Sequence, residues 1–275
     1  MYCDYHVHTN YSDDSVYFME DVIKDAIDLK MDEICITDHV DYGIKEDWDS
    51  NKSMVYRDGA PLANVDYPAY FQEFNDLQKK YPQIKIKKGL EFGIQVHTIE
   101  QFQKLFDRYD LDFVILSCHQ VEDKEFWTQD FQRGKSQQEY YQRYYQEIFN
   151  VIKKYKDYSV LGHLDLIVRY DLREHLLFDD VKDIVSDILK IVIEEGKGIE
   201  VNTSSHRYGL EDLTPSRDLL RLYKELGGKT LTIGSDSHQK EHLGAYIEET
   251  KKELKALGFE YYCTYEHMQP IFHKL

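Results

Sequence analysis

Of the 12 histidines in the chain, six stand at or beside the ends of short β-prone runs: His6 and His8, His39 in Thr37-Asp38-His39, His119 in Ser117-Cys118-His119, His163 in Gly162-His163-Leu164-Asp165, and His238 in Ser235-Asp236-Ser237-His238. Imidazole nitrogens and carboxylate oxygens are the donors that divalent transition metals take. Side chains alternate faces along a strand, so His6 and His8 project to the same side, near enough to grip one ion. Asp236 and His238 repeat that spacing in the last run, and Glu91 closes the third in Gly89-Leu90-Glu91, a strand-end carboxylate placed to bridge ions. A lone histidine near a strand end is more often a satisfied polar side chain than a ligand. Six of them with two carboxylates reverse that reading. So many N/O donors exceed the needs of one tetrahedral ion and imply two or three metals. His97, His175, His242, His267 and His273 fall in helical or terminal segments and read as solvent-exposed, whereas His206 follows the sixth run and is a candidate to face the site.

Such donors meet only if the fold gathers strand ends. Seven β-prone runs alternate with helical patterns: 3–8, 33–39, 84–91, 112–119, 158–165, 197–204 and 229–238. Alternation of this kind over a whole chain predicts parallel strands covered by helices. The clearest helix spans 179–195, where Val181, Ile184, Val185, Ile188, Leu189 and Val192 form one apolar stripe. Another is announced by Thr214-Pro215, read as a cap before a proline at the first helical position, and is closed by Gly227-Gly228. Two irregular stretches, 41–66 and 120–135, each follow a histidine-bearing strand end. In a barrel these are loops on the active face.

The length of 275 residues suits one α/β barrel, and no repeat, low-complexity tract or linker divides it, so residues 1–275 read as a single domain. Neither a signal-peptide pattern nor an apolar run long enough to span a bilayer is present, and the four cysteines are scattered, so a soluble cytoplasmic protein without disulfides is expected. A net charge of −17 without a Lys/Arg stripe disfavours nucleic acid and leaves room for a small anion if the site carries its own positive charge. The tyrosine-rich EYYQRYYQEIF reads as an amphipathic helix packing its rings inward.

Taken in order, H-x-H-T, T-D-H, G-L-E, S-x-H, G-H-x-D and G-S-D-S-H resemble the polymerase and histidinol phosphatase (PHP) family, over residues 3 to 238. The resemblance implies a distorted (β/α)7 barrel, in agreement with the seven runs. It also implies a ligand set: His6, His8, Glu91 and Asp236 around one metal, Glu91 bridging to a second held by His119 and His163, and His39 with His238 around a third. An acidic residue from Ser12-Asp13-Asp14 completes the third site; alignment on the serine favours Asp14, with Asp13 the alternative. Zinc, iron or manganese are the family's metals.

Three such ions would outweigh the carboxylates Asp14, Glu91 and Asp236 and leave the pocket positive on an acidic protein, a contrast that favours a small phosphomonoester substrate. Arg169 and Arg207 are the basic residues best placed to hold its phosphate. Glu91 would serve the reaction as the bridging ligand, and Asp165 and His206 are candidates for the proton donor to the leaving alkoxide. A barrel of this length with GHLDLIVRYD after the fifth strand implies, within the family, hydrolysis of L-histidinol phosphate in histidine biosynthesis. Two alternatives remain at this point, a nucleotide phosphatase or exonuclease using the same metals, and a non-catalytic metal-binding module.

Overall fold

In the computed structural model, which describes residues 1–50, 55–57, 60–173 and 176–275, the runs become seven parallel strands: β1 (Cys3–Val7), β2 (Glu33–Ile36), β3 (Lys85–Gly93), β4 (Phe113–Ser117), β5 (Val160–Leu161), β6 (Gly198–Asn202) and β7 (Leu231–Gly234). Their order in the sheet is their order in the chain, the arrangement that successive right-handed crossovers produce. Closure comes just past the strands. His8 N–H donates to the Ser237 carbonyl at 2.8 Å and Ser237 N–H to the His6 carbonyl at 3.2 Å, so Val7 bridges Ser237 in parallel. Buried Asp4 strengthens the join by accepting from the Ser235 and Gly244 amides, each at 2.9 Å. The result is a (β/α)7 barrel of the α/β class, its strands apolar because both faces are covered.

The strands end earlier than the sequence pattern suggests. His8, His119, His163 and His238 stand beyond the regular pairing, in the rim where chain turns outward. After β2 the chain breaks and then re-pairs: His39–Val40 lies parallel to β3 in the register His39↔Glu91, which sets those two side chains beside each other. Asp236 does not repeat the strand geometry of His6 and His8. Its φ of +56° belongs to a turn, and this turn rather than strand alternation directs its carboxylate.

Helices α1 (Met19–Asp28), α2 (Tyr67–Lys80), α3 (Ile99–Phe106), α4 (Gln137–Ile152), α5 (Lys182–Glu194), α6 (Arg217–Glu225) and α7 (Ile247–Ala256) follow the strands in turn. In α5, Val185, Ile188, Leu189 and Val192 are buried, the stripe read from their spacing. Helix α4 starts with a reciprocal capping box between Ser136 and Glu139 and buries Tyr140, Tyr141, Tyr144 and Tyr145. The start of α6 differs from expectation: Ser216, not Thr214, caps it by accepting from Leu219 N–H at 3.4 Å. Thr214 is occupied elsewhere, accepting from the Asn202 amide at 2.7 Å.

No strand is legible beyond residue 238, yet β8 (Tyr261–Glu266) and β9 (Gln269–Lys274) form an antiparallel hairpin. It packs under the N-terminal rim, where Tyr265 N–H donates to the Tyr5 hydroxyl at 2.7 Å and Met268 N–H to the Asp112 carbonyl at 2.9 Å. His267 and His273 therefore belong to a hairpin; the first is exposed, while the second is half-buried with its ring 2.8 Å from the Thr264 hydroxyl. All four cysteines are buried and free. On the opposite rim, the pairs Tyr56–Arg57 with Ala60–Pro61 and Gln120–Val121 with Lys124–Glu125 form two small hairpins within the two long loops. Arg57 ties them together with a two-pronged ion pair to Glu125, at 2.8 and 3.1 Å. Among the described residues, no helix is long and apolar enough to cross a membrane.

The α5 stripe yields a stability test. Leu189→Ala, at a position with no exposure, is expected to cost about 2–5 kcal/mol in urea denaturation of the metal-loaded protein, and half-buried Ile184→Ala less than half as much.

Candidate metal centre

Glu91 is the centre of the site. Its Oε1 lies 2.8 Å from His163 Nε2 and 3.1 Å from His119 Nε2, while its Oε2 lies 2.8 Å from His39 Nδ1, 3.1 Å from His6 Nε2 and 3.5 Å from His8 Nε2. The two oxygens thus face two different sets of imidazoles. Asp236 Oδ1 sits against the second set, 3.4 Å from His8 Nε2 and 3.8 Å from His6 Nε2. Five groups of donor atoms lie within 4.8 Å of one another, three of them made of the expected ligands: His6, His8 and Asp236; Glu91, His119 and His163; and His8, His39 and His238.

The fit to metal ions rests on atoms that hydrogen bonding leaves over. His6 Nε2, His8 Nε2, His39 Nδ1 and Glu91 Oε2 are buried, and none has a hydrogen-bond partner among the described residues. Leaving such groups unsatisfied would cost about 1–3 kcal/mol each, and cations coordinated by these lone pairs remove that cost. Burial would lower His6, His39, His119 and His238, but the carboxylates facing them raise all four, so metals would bind these rings by displacing protons. Burial, with His39 and His238 alongside, holds His8 well below the usual imidazole range, which keeps it neutral and able to coordinate. Burial would raise Glu91, but the facing His6, His119 and His39 hold its carboxyl well below the ordinary range.

A supporting shell turns four of the six rings. His6 Nδ1 lies 2.5 Å from Glu200, His119 Nδ1 2.7 Å from Asp41, His8 Nδ1 3.2 Å from the Ser12 hydroxyl and His238 Nδ1 2.9 Å from its neighbour's carbonyl at Asp236. With one nitrogen so engaged, the other presents its lone pair to the centre. Two glycines make room for this shell. A Cβ on Gly93 would fall 1.8 Å from Asp41 Oδ1, and one on Gly234 2.2 Å from the His6 Cβ and 2.7 Å from Glu200 Oε1. Neither Asp41 nor Glu200 stands out in the motifs, although a glutamate inside the apolar run GIEVN and an acid two residues past His39 are the signals that mark them.

The alternatives left by the loop after β1 separate cleanly. Asp14 Oδ2 lies 3.3 Å from His238 Nε2 and 3.6 Å from His39 Nε2, whereas Asp13 turns to Lys45, 2.5 Å away. Beside these donors opens a cavity of about 610 Å³ lined by His39, His119, His163, Asp236 and His238 and by Arg169 and Arg207. Arg169 approaches Asp236 Oδ2 at 3.5 Å. Arg207 instead donates to the Ser235 and Asp236 carbonyls at 2.6 and 2.5 Å, holding the turn that aims Asp236.

Both expected proton donors lie elsewhere. Asp165 is buried outside the cavity lining and accepts from the Ser216 amide at 2.7 Å; burial pushes its carboxyl up to about 7, but its place is at the start of α6. His206 is exposed and stacks on Tyr246, ring centres 4.4 Å apart, because the short helical turn after β6 carries it outward. His242, read as solvent-exposed, is half-buried and lines the cavity. His97 is exposed as expected, and His175 lies outside the described residues.

A barrel whose C-terminal rim gathers clustered histidines and carboxylates able to hold metal defines a metal-binding α/β-barrel protein. The PHP domain model matches residues 4–204. The chain belongs to the PHP family. It is 31% identical over 270 residues to histidinol-phosphatase of Lactococcus lactis, covering 97% of this chain and 95% of that one. A probable histidinol-phosphatase of Clostridium acetobutylicum is 28% identical over 271 residues, with 94% and 97% covered. The crystal structure of Lactococcus lactis histidinol phosphate phosphatase, complexed with zinc, L-histidinol and phosphate, superposes with a TM-score of 0.83 at 29% identity and covers 98% of each chain.

Two results are expected from metal analysis of purified variants. Asp14→Ala lowers the metal-to-protein ratio and Asp13→Ala does not. Gly93→Ala, which forces Asp41 away from His119, weakens metal retention against a chelator by about tenfold or more.

Proposed function

We propose that this chain is a metal-dependent phosphomonoesterase that hydrolyses L-histidinol phosphate to L-histidinol and phosphate. The observation that carries the reading is that His39, His119, His163, Asp236 and His238 share one cavity wall with a buried guanidinium, Arg169, while the unpartnered donors of His6, His8 and Glu91 lie buried directly behind them. The likeness to proteins named histidinol-phosphatase over nearly the full length supports the same substrate.

In this reading His6, His8, Glu91 and Asp236 would hold one divalent ion, Glu91 with His119 and His163 a second, and His39, His238 and Asp14 a third, the metals being zinc, iron or manganese. When bound, they supply positive charge to the phosphate oxygens and acidify water for attack on phosphorus. The chain's own part is to hold and orient the ester. Arg169 offers planar donors that match phosphate oxygens. Its side chain lines the cavity beside the metal-binding donors. Residues 1–275 act as one domain, in the cytoplasm.

The deciding assay is phosphate release by metal-analysed protein from a panel of phosphomonoesters that includes L-histidinol phosphate and a 3′,5′-bisphosphonucleotide. Preference for L-histidinol phosphate is expected; preference for the nucleotide would replace this reading with a nucleotide phosphatase. Glu91→Gln is expected to lower kcat at least 1,000-fold, roughly what loss of metal-borne stabilisation implies, while the circular dichroism spectrum is retained. Full activity in that variant would remove the bridging role.

A further inference from the structure

The interior of β6 and the turn after it form one polar ladder. Glu200, Asn202 and Ser204 are all fully buried. At the lower end, Glu200 Oε1 lies 2.5 Å from His6 Nδ1, and its Oε2 accepts from the His163 amide at 2.9 Å. Asn202 continues upward by donating from Nδ2 to Glu200 Oε2 at 3.3 Å. Its own Oδ1 accepts from Ser204 twice, from the amide at 3.0 Å and from the hydroxyl at 2.5 Å. The ladder ends where the Ser204 hydroxyl oxygen accepts from Arg169 Nη2. The Ser204 hydroxyl has a single proton, and donating it to Asn202 leaves its oxygen turned toward the guanidinium. Asn202 is itself immobilised, since its backbone amide donates to Thr214 at 2.7 Å and β6 pairs with β7 through Asn202↔Gly234.

Ser204 makes the shortest hydrogen bond to the guanidinium among the described residues, and Tyr170 beside it is a further side-chain partner. Asp236 is 3.5 Å from Nη2, and Tyr208 lies under its plane with 4.1 Å between the guanidinium carbon and the ring centre. Both contacts allow sliding, whereas the Ser204 bond is directional.

We infer that Ser204, held by Asn202, is a positioning residue that sets where Arg169 meets the phosphate group, and that the β6 ladder thereby ties phosphate binding to the rigid frame of the metal ligands. The inference rests on the phosphatase reading above. Ser204 acts through Arg169 and touches no substrate itself, so its removal weakens the grip on phosphate while leaving metal content unchanged.

The test is a double-mutant cycle on the metal-loaded enzyme, with inorganic phosphate as competitive inhibitor and metal content measured for each protein. Loss of one hydrogen bond to a charged group predicts a rise of about tenfold in the inhibition constant for Ser204→Ala, with kcat changed less than KM and the metal ratio as in the parent. Arg169→Ala is expected to raise the constant further, and adding Ser204→Ala to Arg169→Ala to change it no more. Ser204→Ala keeps the backbone amide that Asn202 caps, and thermal melting checks that it folds. Independent, additive effects of the two substitutions, or an unchanged inhibition constant in Ser204→Ala, would overturn the positioning role while the phosphatase reading stands. A parent protein that hydrolyses no phosphomonoester and is not inhibited by phosphate would overturn both.

Discussion

A carboxylate with no exposure at the mouth of an apolar barrel is tolerated only if its charge is answered locally, and Glu91 meets five imidazoles within 3.5 Å. That requirement organises the rim. Three different strands, β1, β4 and β5, and the short His39–Val40 segment must end at one height, because each brings a ring to one of the two oxygens. Ser117, closing β4, donates its hydroxyl to Oε1 at 2.7 Å, so even the neighbouring strand end is shaped by this one side chain. Cations placed among these donors would take up the lone pairs that hydrogen bonds leave over.

Around that centre, rigidity comes from residues that turn and hold the donors. Glu200 and Asp41 turn His6 and His119, and Gly93 and Gly234 surrender their side chains so that these acids can approach. Lys45 then answers the charge outside the ring, 2.5 Å from Asp13 and 2.9 Å from Asp41, which frees Asp14 to face the histidines. On the other flank, Arg207 fixes the turn carrying Asp236, so the last rim segment is held by a cation on its backbone rather than by strand pairing. The site is therefore two concentric layers, donors inside and orienting groups outside. Its acidic excess matches the chain's net charge of −17 without making the cavity itself hostile to an anion once cations are present.

The barrel and the identity of the inner layer were legible because both depend on local pattern. Strand–helix alternation specifies parallel strands, and donors at strand ends converge wherever such strands close into a ring. The apolar stripe of α5 and the inward tyrosines of α4 follow from helical spacing alone. Less legible were features that depend on how an end is trimmed. Thr214 reads as a cap until its carbonyl proves to be taken by Asn202. The terminal hairpin has no partner in sequence; it exists because the open lower rim of the barrel offers Tyr5, Phe113 and Asp112 to cover.

Residue type and order along the chain thus specified which atoms are able to bind cations, since donor chemistry belongs to the side chain wherever it sits. Direction and company were settled by folding. Asp14 rather than Asp13 meets His39 and His238, Asp165 and His206 leave the cavity, and His242 enters it, because a turn of a few residues swings a side chain through angles that no periodicity records. The outer layer is of the same kind: Glu200 lies 194 positions from His6, and contacts across such separations arise only when the barrel closes.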